Sequence, residues 1–127
     1  MIQNLNDGIA AQEYDIVSFF DKRPKKGKNT ISSYYNEATY YFSTEDNKKR
    51  FEESPQSFAP QYGGFCAIAM SEDKQVNPNP KSWEIRDGKL YFFTRLFFGI
   101  IDAKRQWVKD PATKMYLADK AYEKMNL

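Results

Sequence analysis

The feature that most restricts the fold of this chain is Asp87-Gly88, set between the apolar and aromatic runs Trp83 to Arg86 and Lys89 to Phe93. Asp-Gly accepts positive φ at both central positions of a two-residue turn, and such turns match the twist of antiparallel strands, so residues 82-94 are read as a hairpin. A second hairpin follows from Ile31 to Tyr35 and Ala38 to Phe42 around Asn36 and Glu37, where Asn suits positive φ and Glu is a poor turn residue. Glu13 to Phe20 (EYDIVSFF) is rich in β-branched and aromatic residues and is read as a strand or extended lead-in.

Helical signals are separate from these runs. Ser43 is an N-cap type residue with Asp46 three positions on, Pro55 limits the far end, and Phe51 is the buried-side residue. Asp110-Pro111 supplies an N-cap and an N1 proline before Met115, Ala118, Tyr122 and Met125, which recur at steps of three and four. Phe97 to Val108 is read as a further helix, against the weakening influence of Gly99, Ile100 and Ile101. The expected fold class is α+β: a small antiparallel sheet built from hairpins with helices, including an amphipathic C-terminal helix. No repeat or long linker divides the 127 residues, so a single domain spanning 1-127 is expected, with a motif region about 13-70, the hairpin 82-94 and a helical part 96-126.

Composition narrows the chemistry. With no histidine, neither a Ser-His-Asp nor a Cys-His catalytic system nor a His-containing metal site can form within one chain. One cysteine makes no intramolecular disulfide and no Cys-rich zinc site. A formal charge of +2, from 19 basic and 17 acidic residues, is too balanced for a polyanion binder, so no nucleic acid partner is expected. The start MIQNLNDGIAA lacks a basic and apolar leader, and no run of about 18 apolar residues occurs. A soluble protein without a transmembrane segment is expected, cytoplasmic by default and periplasmic if an upstream signal was removed.

Three stretches in order, Tyr14 to Phe20 (YDIVSFF), Thr39 to Phe51 (TYYFSTEDNKKRF) with Pro55 after it, and Ala59 to Ala69 (APQYGGFCAIA), resemble the YHS domain family. The chain is most similar to its small stand-alone members, in which YGG-aromatic-Cys-Ala precedes a Trp-containing strand, Asp-Gly-Lys-Leu-Tyr, a later Trp and a terminal helix; here these are Trp83, Asp87 to Tyr91, Trp107 and the segment after Pro111. The resemblance implies a module found beside heavy-metal transport and metal-dependent proteins, whose metal-associated versions carry two cysteine pairs. At those positions this chain has Asp15 and Ser18, then Ser43 and Asn47. Cu(I) and Zn select thiolate and imidazole, so the substitution speaks against a soft metal there, and Ser43 is read as a helix cap and Asp15 as a surface or strand-end residue.

The segment Gly63-Gly64-Phe65-Cys66 is the candidate ligand-binding stretch, because two glycines permit close backbone approach immediately before a thiol. A helix starting near Phe65 would hold Cys66 in its first turn, lowering its pKa, and place Met70 on the same face. Cys66 and Met70 then form a thiolate-thioether pair suited to a soft metal ion such as copper, completed by a second chain or an exogenous ligand. Three functions are thereby open: a non-catalytic binding module, a thiol-dependent redox protein or enzyme using Cys66, or a structural or protein-interaction domain in which Cys66 is buried and inert. The first is preferred, and no catalytic residue is assigned. Arg95 to Ile101 (RLFFGII) is read as a buried helix or, if exposed, a homodimer face. The basic run Lys22 to Lys28 is read as a solvated turn, and the strand aromatics as core packing rather than a stacking platform.

Overall fold

The computed structural model describes residues 2–127, and its architecture is α+β. Its contacts divide into two compact units, one of residues Asn4–Pro60 with Ile85–Leu90, the other of residues 2–3, Gln61–Glu84 and Tyr91–Leu127.

In the first unit a four-stranded sheet has the order β1 (Leu5–Asn6), β2 (Ile9–Ala10), β4 (Ala38–Phe42), β3 (Lys28–Tyr35). β2 runs parallel to β4 through Ile9 and Thr39, and the other pairs are antiparallel. The β3–β4 hairpin forms as expected, pairing Tyr35 with Ala38 and Ser33 with Tyr40, with an irregularity between Lys28 and Ser32. Its turn puts both Asn36 and Glu37 at positive φ, 50° and 67°, so Glu37 accepts the left-handed region because the two-residue connection demands it.

β4 alternates strictly, burying Ala38, Tyr40 and Phe42. Onto that face packs α2 (Glu45–Glu53), whose Phe51 is fully buried with its ring 4.6 Å from Tyr40, 5.2 Å from Phe42 and 5.9 Å from Tyr35. Pro55 opens the short α3 (Pro55–Phe58), and Phe58 meets Phe20 edge-on at 5.1 Å.

Two sequence expectations are corrected in this unit. Residues 13–20 are not a strand: only Tyr14 is extended, bridging Lys26, and α1 (Ile16–Phe20) follows, because Asp15 caps the amides of Val17 and Ser18 and outweighs the β-propensity of Ile16, Val17 and the phenylalanines. The N-cap of α2 is Thr44, which accepts from the Asn47 amide at 3.1 Å, and not Ser43.

The second unit is built around α4 (Ala67–Ser71) and the long terminal helix. β5 (Asn79–Arg86) and β6 (Lys89–Phe93) form the expected hairpin, with Asp87 at φ 52° and Gly88 at φ 76°; its tip, Ile85–Leu90, is assigned to the first unit. Leu90 to Phe93 are buried in succession, so no aromatic platform is exposed on that strand. Phe97–Val108 is not one helix. Arg95–Leu96 (β7) and Ile101–Asp102 (β8) pair as a miniature hairpin, and only Lys104–Lys109 (α5) is helical. Phe97, Phe98 and Gly99 all take positive φ, which breaks the helix that the apolar density favoured.

The terminal helix α6 (Pro111–Met125) matches expectation, with the Asp110 carboxylate accepting from the Thr113 amide. It buries Ala118 and Ala121 and leans Met115, Tyr122 and Met125 on a core of Tyr62, Phe65 to Met70, Tyr91, Phe93 and Trp107. Trp107 sits 4.8 Å from the Tyr91 ring and 5.5 Å from Phe93, and its Nε1 donates to Glu84 Oε1 at 2.9 Å. Among the described residues no helix is long and apolar enough to cross a membrane.

Candidate functional site

Cys66 occupies the position that precedes α4, its carbonyl accepting from the Met70 amide at 2.9 Å and its own amide donating to the Val76 carbonyl at 3.0 Å. Its side chain has no exposed surface. The sulfur accepts a hydrogen bond from the Thr94 amide at 3.2 Å, and Cys66 also bridges Phe92 in parallel fashion. The expectation that a helix start lowers its pKa is reversed. Burial pushes the Cys66 thiol up; the amides of Ala69, Thr94 and Ile68 pull the other way without overcoming it, and Glu72 adds to the rise. α4 has only five residues and hence a small dipole, and Lys74, the nearest basic residue in sequence, lies 3.9 Å from Glu72.

Met70 is also fully buried, one turn from Cys66 and inside the same apolar core. Among the described residues no group of three or more histidine, cysteine or carboxylate side chains is placed to hold a metal ion. The thiol is thus a protonated, apolar packing group with one weak donor, an arrangement suited to filling a core rather than to nucleophilic attack.

The two glycines do permit a close approach, and the approaching group is the chain itself. Gly63 has φ 63°, and a Cβ there would overlap the Ile2 carbonyl oxygen and come 2.9 Å from the Gln3 Cα. Tyr62, Gly63 and Gly64 take positive φ in succession, turning Phe65 inward to the core. Ile2 is held there by its amide donating to Asn126 Oδ1 at 2.7 Å and its carbonyl accepting from the Tyr122 hydroxyl at 2.6 Å.

Tyr62 is buried and donates its hydroxyl to Asp119 Oδ1 at 2.8 Å. Burial, followed by that hydrogen bond and the Asp119 charge, drives the phenol well above its usual range. Sequence reasoning passed over Tyr62 and Asp119; the only sequence signal was a tyrosine abutting the Gly-Gly pair.

A second polar centre lies in the other unit. Asp15 is fully buried, not a surface residue. Its Oδ1 accepts from the amides of Val17 at 2.9 Å and Ser18 at 3.2 Å, while Oδ2 accepts from the Ser43 amide at 2.8 Å, the Ser43 hydroxyl at 2.7 Å and Asn47 Nδ2 at 2.9 Å. The Ser18 hydroxyl donates to the Asp15 carbonyl at 2.6 Å and accepts from the Lys25 amide at 2.9 Å. Asn47 is oriented in turn by Arg50, whose Nη1 donates to Asn47 Oδ1 at 3.2 Å, and whose two terminal nitrogens pair with Asp21 at 2.8 and 3.1 Å. Asp15, Ser18, Ser43 and Asn47 therefore come together from two distant segments. Five donors satisfy the carboxylate within the chain, leaving its lone pairs engaged.

No family model, no curated protein and no solved structure matches this chain.

Proposed function

We propose that this chain is a YHS-type structural or protein-interaction domain in which Cys66 is buried and inert. The observation that carries this reading is the enclosure of the Cys66 sulfur, which has no exposed surface and accepts the Thr94 amide. A thiol raised by burial is a poor nucleophile and a poor thiolate donor at neutral pH, which weighs against both a thiol-dependent enzyme and a Cys66-Met70 copper site.

The family assignment is supported by one geometric coincidence. The four positions aligned with the family's cysteine pairs, Asp15, Ser18, Ser43 and Asn47, converge on one carboxylate, so hydrogen bonds here hold together segments that thiolates and a metal would otherwise tie.

The test compares native and unfolded protein in alkylation by iodoacetamide, alongside anaerobic Cu(I) loading of the wild type and Cys66→Ser. Slow alkylation of the native chain, fast alkylation after unfolding and no stoichiometric copper in either form are expected. Rapid native alkylation with a depressed thiol pKa would instead establish thiol chemistry. Copper retained one-to-one by the wild type and lost in Cys66→Ser would establish a soft-metal module.

A further inference from the structure

The miniature hairpin after β6 carries a large apolar surface that nothing in its own unit covers. Phe98 is fully exposed, Ile100 is 72% and Phe97 66% exposed, and Leu96 and Ile101 beside them are half exposed. Phe97 and Phe98 hold φ of 52° and 55°, a region that costs bulky L-residues about 1 kcal/mol or more each. This strained backbone turns the two rings outward, where they gain nothing from the core.

The tip is braced from beneath by cations. The Arg95 guanidinium fills the place where a Gly99 side chain would stand, and Arg105 Nη1 donates to the Ile100 carbonyl at 3.1 Å. On α5, Arg105, Val108 and Lys109 are exposed together. Among residues 95–109 four basic side chains oppose one carboxylate, Asp102, which is occupied by the Ser82 hydroxyl at 2.5 Å and the Lys104 amide at 3.1 Å, with Arg95 Nε 3.6 Å away.

We infer that residues 95–109 form a membrane-docking element that seats on an anionic lipid surface, with Phe97, Phe98 and Ile100 entering the interfacial layer and Arg105 and Lys109 engaging headgroup phosphates. An apolar tip beside a basic collar matches a bilayer whose acyl boundary is apolar and whose surface is negative. The same tip suits a second copy poorly: a stable dimer buries about 800 Å² per partner over 20–30 residues, and a protruding turn of five apolar side chains with like-charged flanks supplies neither the area nor the complementarity. Binding of this kind needs no spanning helix, and it is independent of the state of Cys66.

The experiment is co-sedimentation of the full chain with vesicles of phosphatidylcholine alone and of phosphatidylcholine mixed with phosphatidylglycerol. The variants are Phe98→Ser with Ile100→Ser, and Arg105→Gln with Lys109→Gln, each checked for native circular dichroism. Binding to the anionic vesicles is expected, weakened by salt, cut about fivefold for each cation removed, and abolished in the tip variant. In a Phe98→Trp variant the added emission should shift to the blue on vesicles and be quenched by brominated lipid. Absence of binding to anionic vesicles, equal binding to both compositions, or binding unchanged in the tip variant would overturn the inference. So would a concentration-dependent dimer in sedimentation velocity that disappears in the tip variant while vesicles capture nothing, which would assign the patch to a second copy.

Discussion

The Asp15 carboxylate accepts both the amide and the hydroxyl of Ser43, at 2.8 and 2.7 Å, across 28 residues of chain. These bonds tie the first turn of α1 to the chain entering α2, and they leave a buried carboxylate satisfied by donors rather than by a full ion pair.

Removing the carboxylate should therefore cost more than removing any one donor. Asp15→Ala orphans the buried amide of Val17 as well as the Ser43 and Asn47 donors, while the Ser18 amide keeps the backbone carbonyl of residue 15 at 3.1 Å, and a loss of roughly 3–5 kcal/mol in urea unfolding is expected. Ser43→Ala removes one hydroxyl and should cost about 1 kcal/mol. A double-mutant cycle should show strong non-additivity, because Ser43→Ala has little left to lose once Asp15 is gone. Additive losses would show that the two residues act separately.

Cys66, Tyr62 and Tyr122 are all shifted upward from ordinary values of 9.0, 10.0 and 10.0. In each case the folded chain holds the proton to higher pH than the unfolded chain, so above those values the unfolded state binds fewer protons and stability falls as pH rises. Urea midpoints should show no contribution from these groups at neutral pH, then decline from about pH 9 and more steeply above pH 10. Cys66→Ala should remove the first part of the decline and leave the tyrosine part. A decline near pH 9 that persists in Cys66→Ala would refute the assignment.

Gly63 and Gly88 both have positive φ, at 63° and 76°, but only Gly63 is crowded. Gly88→Ala faces open space and should cost about 1 kcal/mol, the conformational penalty alone. Gly63→Ala must also displace the Ile2 carbonyl, and a loss of roughly twice that or more is expected, with faster hydrogen exchange at the Ile2 amide. Equal thermal shifts in the two variants would show that the crowding is relieved at no cost.

Phe51 is enclosed by three aromatic rings at centroid distances of 4.6, 5.2 and 5.9 Å. Phe51→Ala should cost about 3–5 kcal/mol, and Phe51→Leu less than half of that, since Leu restores most of the volume without the ring edges. Near-UV circular dichroism from Tyr35 and Tyr40 should weaken in both.

What the sequence determined by itself were the elements whose cause is local. Asp87-Gly88 and Asn36-Glu37 mark their turns because a two-residue connection between twisted strands requires positive φ, and Asp110-Pro111 starts α6 because an acceptor and a preset φ are needed there and nowhere else nearby. Phe51 was legible for the same reason: a lone large apolar residue on a charged helix has one side to bury.

The tertiary structure decided the rest. Local sequence makes Asp15 a surface or strand-end residue because its main donors, Ser43 and Asn47, lie on another segment, and no local pattern reports a carboxylate buried by distant hydrogen-bond donors. The Gly63-Gly64 pair announces a close approach but not that Ile2 makes it, and the sequence leaves Cys66 open between a thiol at a helix start and a residue buried with Ala67 to Met70, a choice that only the apolar enclosure decides, for burial. Arg95 to Ile101 has the density of a core helix and is an exposed turn, since burial depends on which surfaces the remaining chain leaves to pack against, whereas propensity depends only on the nearest neighbours along it.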